Sequence, residues 1–296
     1  MSQHNHSHTP TFQQVNSAFV IGITLNALFV IIEFICGFVF NSVALISDAG
    51  HNLSDVAGLL LVFYTFSMAK KISSNKFTFG YKKGTILVSL LNAMMLLVAV
   101  GVIFWESISK LQSPVPVEGG IVAVVAFIGV FINSITAYLF FKNKEKDLNV
   151  KSAYLHLATD ALVSLGVVIS GIIIYYTSWY WIDSIMGILI GIAILLSTWG
   201  LLRDSFTLAM GGVPRHLDLE KVKKIILKVK GVKDTHHIHI WALSTTENAL
   251  VAHIVVDDVQ KVDEIKKDIR HELDHLGITH TTLEVDNDMS MCLVDC

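Results

Sequence analysis

Two short stretches carry ionisable side chains inside otherwise apolar sequence. Both read His-x-x-x-Asp: His51 with Asp55, and His156 with Asp160. On a helix, residues i and i+4 lie one above the other on one face, so each stretch offers an imidazole and a carboxylate to the same side. Two such helices facing each other would present two nitrogens and two oxygens to a common point, a four-coordinate set of the kind zinc accepts. An ionisable group near a bilayer centre costs at least roughly 2.5–3.5 kcal/mol. Such groups must therefore face inward, pair, or meet an ion or a water path. Two His–Asp hydrogen bonds bracing a bundle are the bland alternative; the repeated spacing and the donor types favour a divalent metal. Asp48 precedes His51 by three residues and lies near the same face. It either guides the ion or relays a proton, or it is a helix N-terminal aspartate stabilised by the dipole.

Composition says what must hold these groups. The chain has 296 residues, 53% of them hydrophobic and only 16% charged. That is the balance of a polytopic membrane protein. A net charge of −3 gives no sign of nucleic-acid binding. Three cysteines, Cys36, Cys292 and Cys296, make no disulfide framework. The first residues lack the positive region and cleavage site of a signal peptide, so the first apolar segment is expected to stay in the mature protein.

Six apolar segments are long enough for the roughly 20 residues a span requires: 15–40, 43–69, 84–108, 120–141, 152–177 and 181–202. The His–Asp pairs fall on the second and fifth. Glu33 in the first is either a functional intramembrane carboxylate or a neutral packing residue. Asn26 lies in the same segment and Asn133 in the fourth, and Asn92 reads as an interhelical hydrogen-bonding residue rather than a ligand. Lysines crowd the loops after the second and fourth segments (Lys70, Lys71, Lys76, Lys82 and Lys83; Lys142, Lys144, Lys146 and Lys151), whereas the opposite loops hold Lys110 alone. Tyr176, Trp179, Tyr180 and Trp181 mark the other interface as an aromatic belt. By the positive-inside rule both termini are cytosolic. The expected organisation is a tail at 1–14, a membrane domain at 15–203 and a cytosolic domain at 204–296. His4, His6 and His8 in the tail suit either a solvated arm or a metal-collecting one.

After Arg203 the composition turns soluble. Residues 217–230 carry a lysine-rich amphipathic stripe, 232–243 and 249–256 read as strands, 262–276 as a second amphipathic helix, and 281–285 as a third strand. The order αββαβ predicts a small α+β, ferredoxin-like domain with its helices on one sheet face. A sheet this small gains from pairing with a second copy. His236 and His253 come from adjacent strands. His280 and Glu284 share one strand face by alternation.

Several of these stretches together resemble the cation diffusion facilitator family: SVALISDAGHNLSDV, FTFGYKK, AYLHLATDALVSLGV and GVKDTHHIHIWAL. The likeness covers nearly the whole chain and points to the zinc-, cobalt- and cadmium-exporting branch. It implies a homodimer of six-span subunits that exchanges zinc for protons at a site matching His51, Asp55, His156 and Asp160. The His form of the first position is associated there with preferring zinc over cadmium; Cd²⁺ and Co²⁺ remain candidate cargo. It also implies cytosolic metal sites at positions matching His236, His253, His280 and Glu284. Some relatives add terminal cysteines spaced C-x-x-C; here Cys292 and Cys296 stand one residue further apart, and thiolates suit zinc. Lys82 stands where some relatives carry histidine, which argues against an accessory site in that loop.

Two other readings compete. A membrane zinc sensor or store would bind without net transport. The HELDH stretch at 271–275 matches the H-E-x-x-H of zinc proteases, but its histidines fall on the solvated face of the predicted helix. The expectation is a zinc exporter in a bacterial plasma membrane, a secondary transporter rather than an enzyme.

Overall fold

The computed structural model describes residues 17–53, 56, 74–141 and 148–286. The expectations for His4, His6, His8, Asp55, Cys292 and Cys296 lie outside those residues. So does the side chain of His156, whose backbone lies within the fifth helix.

Among the described residues, helices make up most of the chain up to Ala209. α1 (Ser17–Val39) turns through Asn41, at φ 57°, into α2, helical over 43–53. Then come α3 (Gly84–Gln112), α4 (Gly119–Phe141), α5 (Leu148–Thr177) and α6 (Trp181–Ala209). Among the described residues, four helices are long and apolar enough to cross a membrane, within α3, α4, α5 and α6, and α1 adds the apolar run Asn26–Val39. Their outer faces expose Val98, Trp105, Phe131 and Leu196, apolar surface that a soluble monomer does not carry on this scale. Trp179 and Trp181 stack at 6.0 Å between centroids at the α5–α6 turn, within the expected aromatic belt.

The helices outrun their apolar segments because they stop at breakers, not at the loss of hydrophobicity. α3 continues to Gln112, just before Pro114, and α6 passes Arg203 to end at Ala209, before Gly211 at φ 78°. Packing inside the first compact unit, 1–57 with 98–194, relies on small residues. A Cβ on Gly119 would lie 2.6 Å from the carbonyl oxygen of Gly171, and one on Gly171 would lie 2.7 Å from the amide of Ala123. α4 and α5 therefore touch backbone to backbone, as small-residue interfaces in membranes allow.

Buried polar groups fix how α2 begins. Ser42 donates to Asp183 Oδ1 and accepts the amide of Leu45 at 3.2 Å. The amide of Val43 donates to Asp183 Oδ2 at 2.6 Å. The first turn of α2, whose amides have no partner within the helix, is thus capped by a carboxylate from α6.

In the second compact unit, 58–97 with 195–296, the expected αββαβ order is present. α7 (Leu219–Lys228) starts at the Asp218 N-cap. β1 (Val232–Ala242) and β2 (Asn248–Val256) pair antiparallel, α8 (Val262–Asp274) follows, and β3 (Ile278–Asp286) pairs parallel to β2, giving the sheet order β1-β2-β3. Val222 and Ile226 of α7 and Ile265, Ile269 and Leu273 of α8 pack on Ile240, Leu250, Ala252 and Ile254. The helices cover one sheet face, as alternation required. β3 is longer than the expected 281–285 because buried Ile278 begins it and Asp286 still pairs with Val255.

The FTFGYKK loop clasps this domain. Lys82 pairs with Glu247, the Thr245 amide donates to Thr85 Oγ1 at 3.1 Å, and Phe79 meets His280 edge-on at 5.3 Å.

Candidate metal centres

In the membrane domain α2 and α5 meet through polar side chains one turn apart. His51 Nε2 lies 3.3 Å from Asp160 Oδ1. Ser164 donates to Asp48 Oδ2 at 2.7 Å. Rising numbers on α2 meet falling numbers on α5, so the two helices run antiparallel at this contact. Asp48 and Asp160 are buried, and His51 is partly buried. Asp48 is the sixth residue of α2, well inside the helix. The N-terminal aspartate role belongs to Asp183 instead, reaching in from another helix. Glu33 of α1 is fully buried, with Asp48 and Asn52 among its neighbours, and among the described residues neither of its oxygens has a hydrogen-bond partner of ordinary geometry. Three carboxylates thus converge on the α2–α5 seam. Sequence periodicity does not reveal that convergence, because Glu33, Asp48 and Asp160 sit on three different helices.

In the carboxy-terminal domain a second group gathers on the sheet face away from α7 and α8. His236 and His253 are direct cross-strand partners. Asp286 Oδ2 sits between them, 3.0 Å from His236 Nε2 and 2.9 Å from His253 Nδ1. Ligand atoms of the three lie within 4.8 Å of one another, close enough for one metal ion. His236 Nδ1 is buried and has no hydrogen-bond partner among the described residues, a nitrogen whose desolvation a metal would offset. Glu284 Oε2 lies 3.5 Å from His253 Nε2. His280 stands apart from this cluster: its place in the ladder is opposite Ala249, four residues from His253, and its ring faces Phe79.

Asp286 is not among the ligands expected from sequence. Alternation from Glu284 reaches it, but it lies one residue beyond the expected end of the third strand. His271 of α8 and its C-cap residue His275 are exposed, rings 4.7 Å apart, which leaves the histidines of the protease-like motif on a solvated surface.

Two family descriptions match this chain: "Cation efflux transmembrane domain" over residues 19–208 and "Cation efflux protein, cytoplasmic domain" over 214–288. The "Cadmium, cobalt and zinc/H(+)-K(+) antiporter" of Bacillus subtilis is 34% identical over 88% of this chain and 85% of its own length. The "Metal cation efflux system protein CzcD" of Cupriavidus metallidurans is 36% identical over 95% and 89%. The "Zinc transporter ZitB" of Escherichia coli is 34% identical over 96% and 92%. A solved metal-bound C-terminal domain of the CzcD transporter from Cupriavidus metallidurans is 38% identical, covers 24% of this chain and 99% of that one, and superposes with a TM-score of 0.23.

Proposed function

The chain belongs to the cation efflux family, the cation diffusion facilitators, and from that premise we propose that it exports zinc in exchange for protons through His51, Asp55, His156 and Asp160. The observation that carries this reading is the 3.3 Å contact of His51 with Asp160 across two antiparallel helices inside an apolar bundle. One further step in the same register, up α2 and down α5, matches position 55 with position 156, the remaining carboxylate and imidazole of the set. Both of those stay proposals drawn from the register and the sequence.

Charge gives the exchange its logic. The two aspartates contribute −2, which a zinc ion cancels. With the metal gone, protons on His51 and His156 cancel it instead. Metal and protons compete for the same nitrogens because a ligating imidazole must be neutral, and histidine's unperturbed pKa of about 6.5 puts that competition near neutral pH. Zinc affinity should therefore fall as pH drops, favouring release on the acidic side. A bacterial plasma membrane is the proposed location, and the lysine-rich loops favour both termini on its cytosolic side. The carboxy-terminal domain, with His236, His253, Glu284 and Asp286, holds a resident zinc there and pairs with a second copy. His280, Cys292 and Cys296 stay candidates for cytosolic ligation, and Cd²⁺ and Co²⁺ for cargo.

Proteoliposomes test this. With an acid interior and zinc outside, zinc should accumulate over time, and a protonophore should abolish the accumulation. A sensor or store would bind zinc without internal accumulation. Uptake undiminished after the proton gradient collapses would point to another driving ion, and replacing internal potassium would then identify it or eliminate it.

A further inference from the structure

We propose that a bulge in β1 recruits His237 as the fourth ligand of the carboxy-terminal metal centre, making the set His236, His237, His253 and Asp286. This rests on reading that cluster as a metal centre. Alternation along β1 sets the expectation that the bulge breaks. Thr235 is buried and pairs with Ile254 on the helix-covered face, and His236 pairs with His253 on the open face. Regular alternation would send His237 back under the helices. It does not go there. Between the pairs His236–His253 and His239–Val251, β1 has two residues where β2 has only Ala252. The extra residue lets Ile238 take the core position and leaves His237 on the same side as His236.

The backbone bends sharply to do this. His237 sits at φ 49°, a left-handed conformation uncommon outside glycine, with histidine among the residues that visit it more readily. Bulges re-aim side chains near functional sites, and backbone in sparsely populated regions clusters at such sites. What is re-aimed here is an imidazole. The His237 ring centroid comes 5.3 Å from that of His253 and 5.8 Å from that of His236. Two imidazoles hold the Asp286 carboxylate, and the third, His237, stands beside both of their rings. Three nitrogens and one oxygen suit tetrahedral zinc and disfavour magnesium and calcium, which take oxygen ligands. Glu284 faces the other nitrogen of His253, where it orients the ring as carboxylate partners of ligating histidines do.

Residue-resolved carbethoxylation of the full-length protein, with and without zinc and read by mass spectrometry, tests the assignment. His236, His237 and His253 should lose reactivity together, at one zinc midpoint. Protection of His236 and His253 with His237 still reactive would overturn the fourth ligand and leave the centre standing. Failure to protect any of the three would remove the centre and this proposal with it. Asn tolerates the left-handed backbone, so His237→Asn keeps the bulge. It should raise the zinc midpoint for His236 and His253 by about tenfold or more, the scale of even outer-shell losses at metal sites. An unchanged midpoint would also overturn the proposal.

Discussion

Asp160 is a carboxylate in an apolar helix with an imidazole 3.3 Å away, and in the proposed exchange its value lies in its charge. Asp160→Ala or Asp55→Ala should abolish zinc accumulation in proteoliposomes while size-exclusion and helical content stay normal; retained flux in either would move the transport site elsewhere. Asp183 does different work at the same level of burial. Asp183→Ala leaves the Val43 amide and the Ser42 hydroxyl without their acceptor, at a cost of about 1–3 kcal/mol. A clear fall in melting temperature, with some transport surviving below it, is the expected pattern. Sequence distinguishes these roles only partly. His51, Asp55, His156 and Asp160 announce themselves by repeated spacing among apolar residues. Asp183 is hidden because an aspartate in the first turn of a helix is ordinary, and its partners lie about 140 positions earlier in the chain. Asp286 and His237 escape sequence reasoning for a related cause. One lies just past an expected strand end, the other at a bulge, and alternation rules apply inside regular strands.

Helices and strands are more legible than their ends. Six apolar runs and a change to amphipathic periods set out the order of elements, because hydrophobic pattern reports on burial. Boundaries follow Pro114 and Gly211 instead, since backbone chemistry decides where a helix stops. The closeness of α4 to α5 is not legible, because a glycine in a membrane helix has no single meaning until its neighbour is known. At Gly171 that neighbour is the Ala123 amide, which a Cβ would approach to 2.7 Å. Gly171→Val should overpack the interface and destabilise the protein by about 1–3 kcal/mol or more, read by thermal unfolding in detergent. Gly101, with nothing within 4 Å of a Cβ, should accept alanine with little change.

Across the whole molecule, residues far apart in the chain meet through a few specific polar contacts. Lys82–Glu247 is a partly exposed pair, so its worth is small, about 0.2–1 kcal/mol. Reversing either charge alone should lower stability by that order, and reversing both should restore it; a double-mutant cycle without coupling would show that the pair contributes nothing. The capping of α2 by Asp183 has an outcome of another sort, in time. A ribosome adding about 5–20 residues per second makes Val43 on the order of ten seconds before Asp183, given the 140 positions between them. During that interval the Val43 amide of the nascent second span lacks its Asp183 acceptor. The chain's first half is therefore finished by its last hydrophobic segment, and biogenesis of the bundle cannot be completed one hairpin at a time.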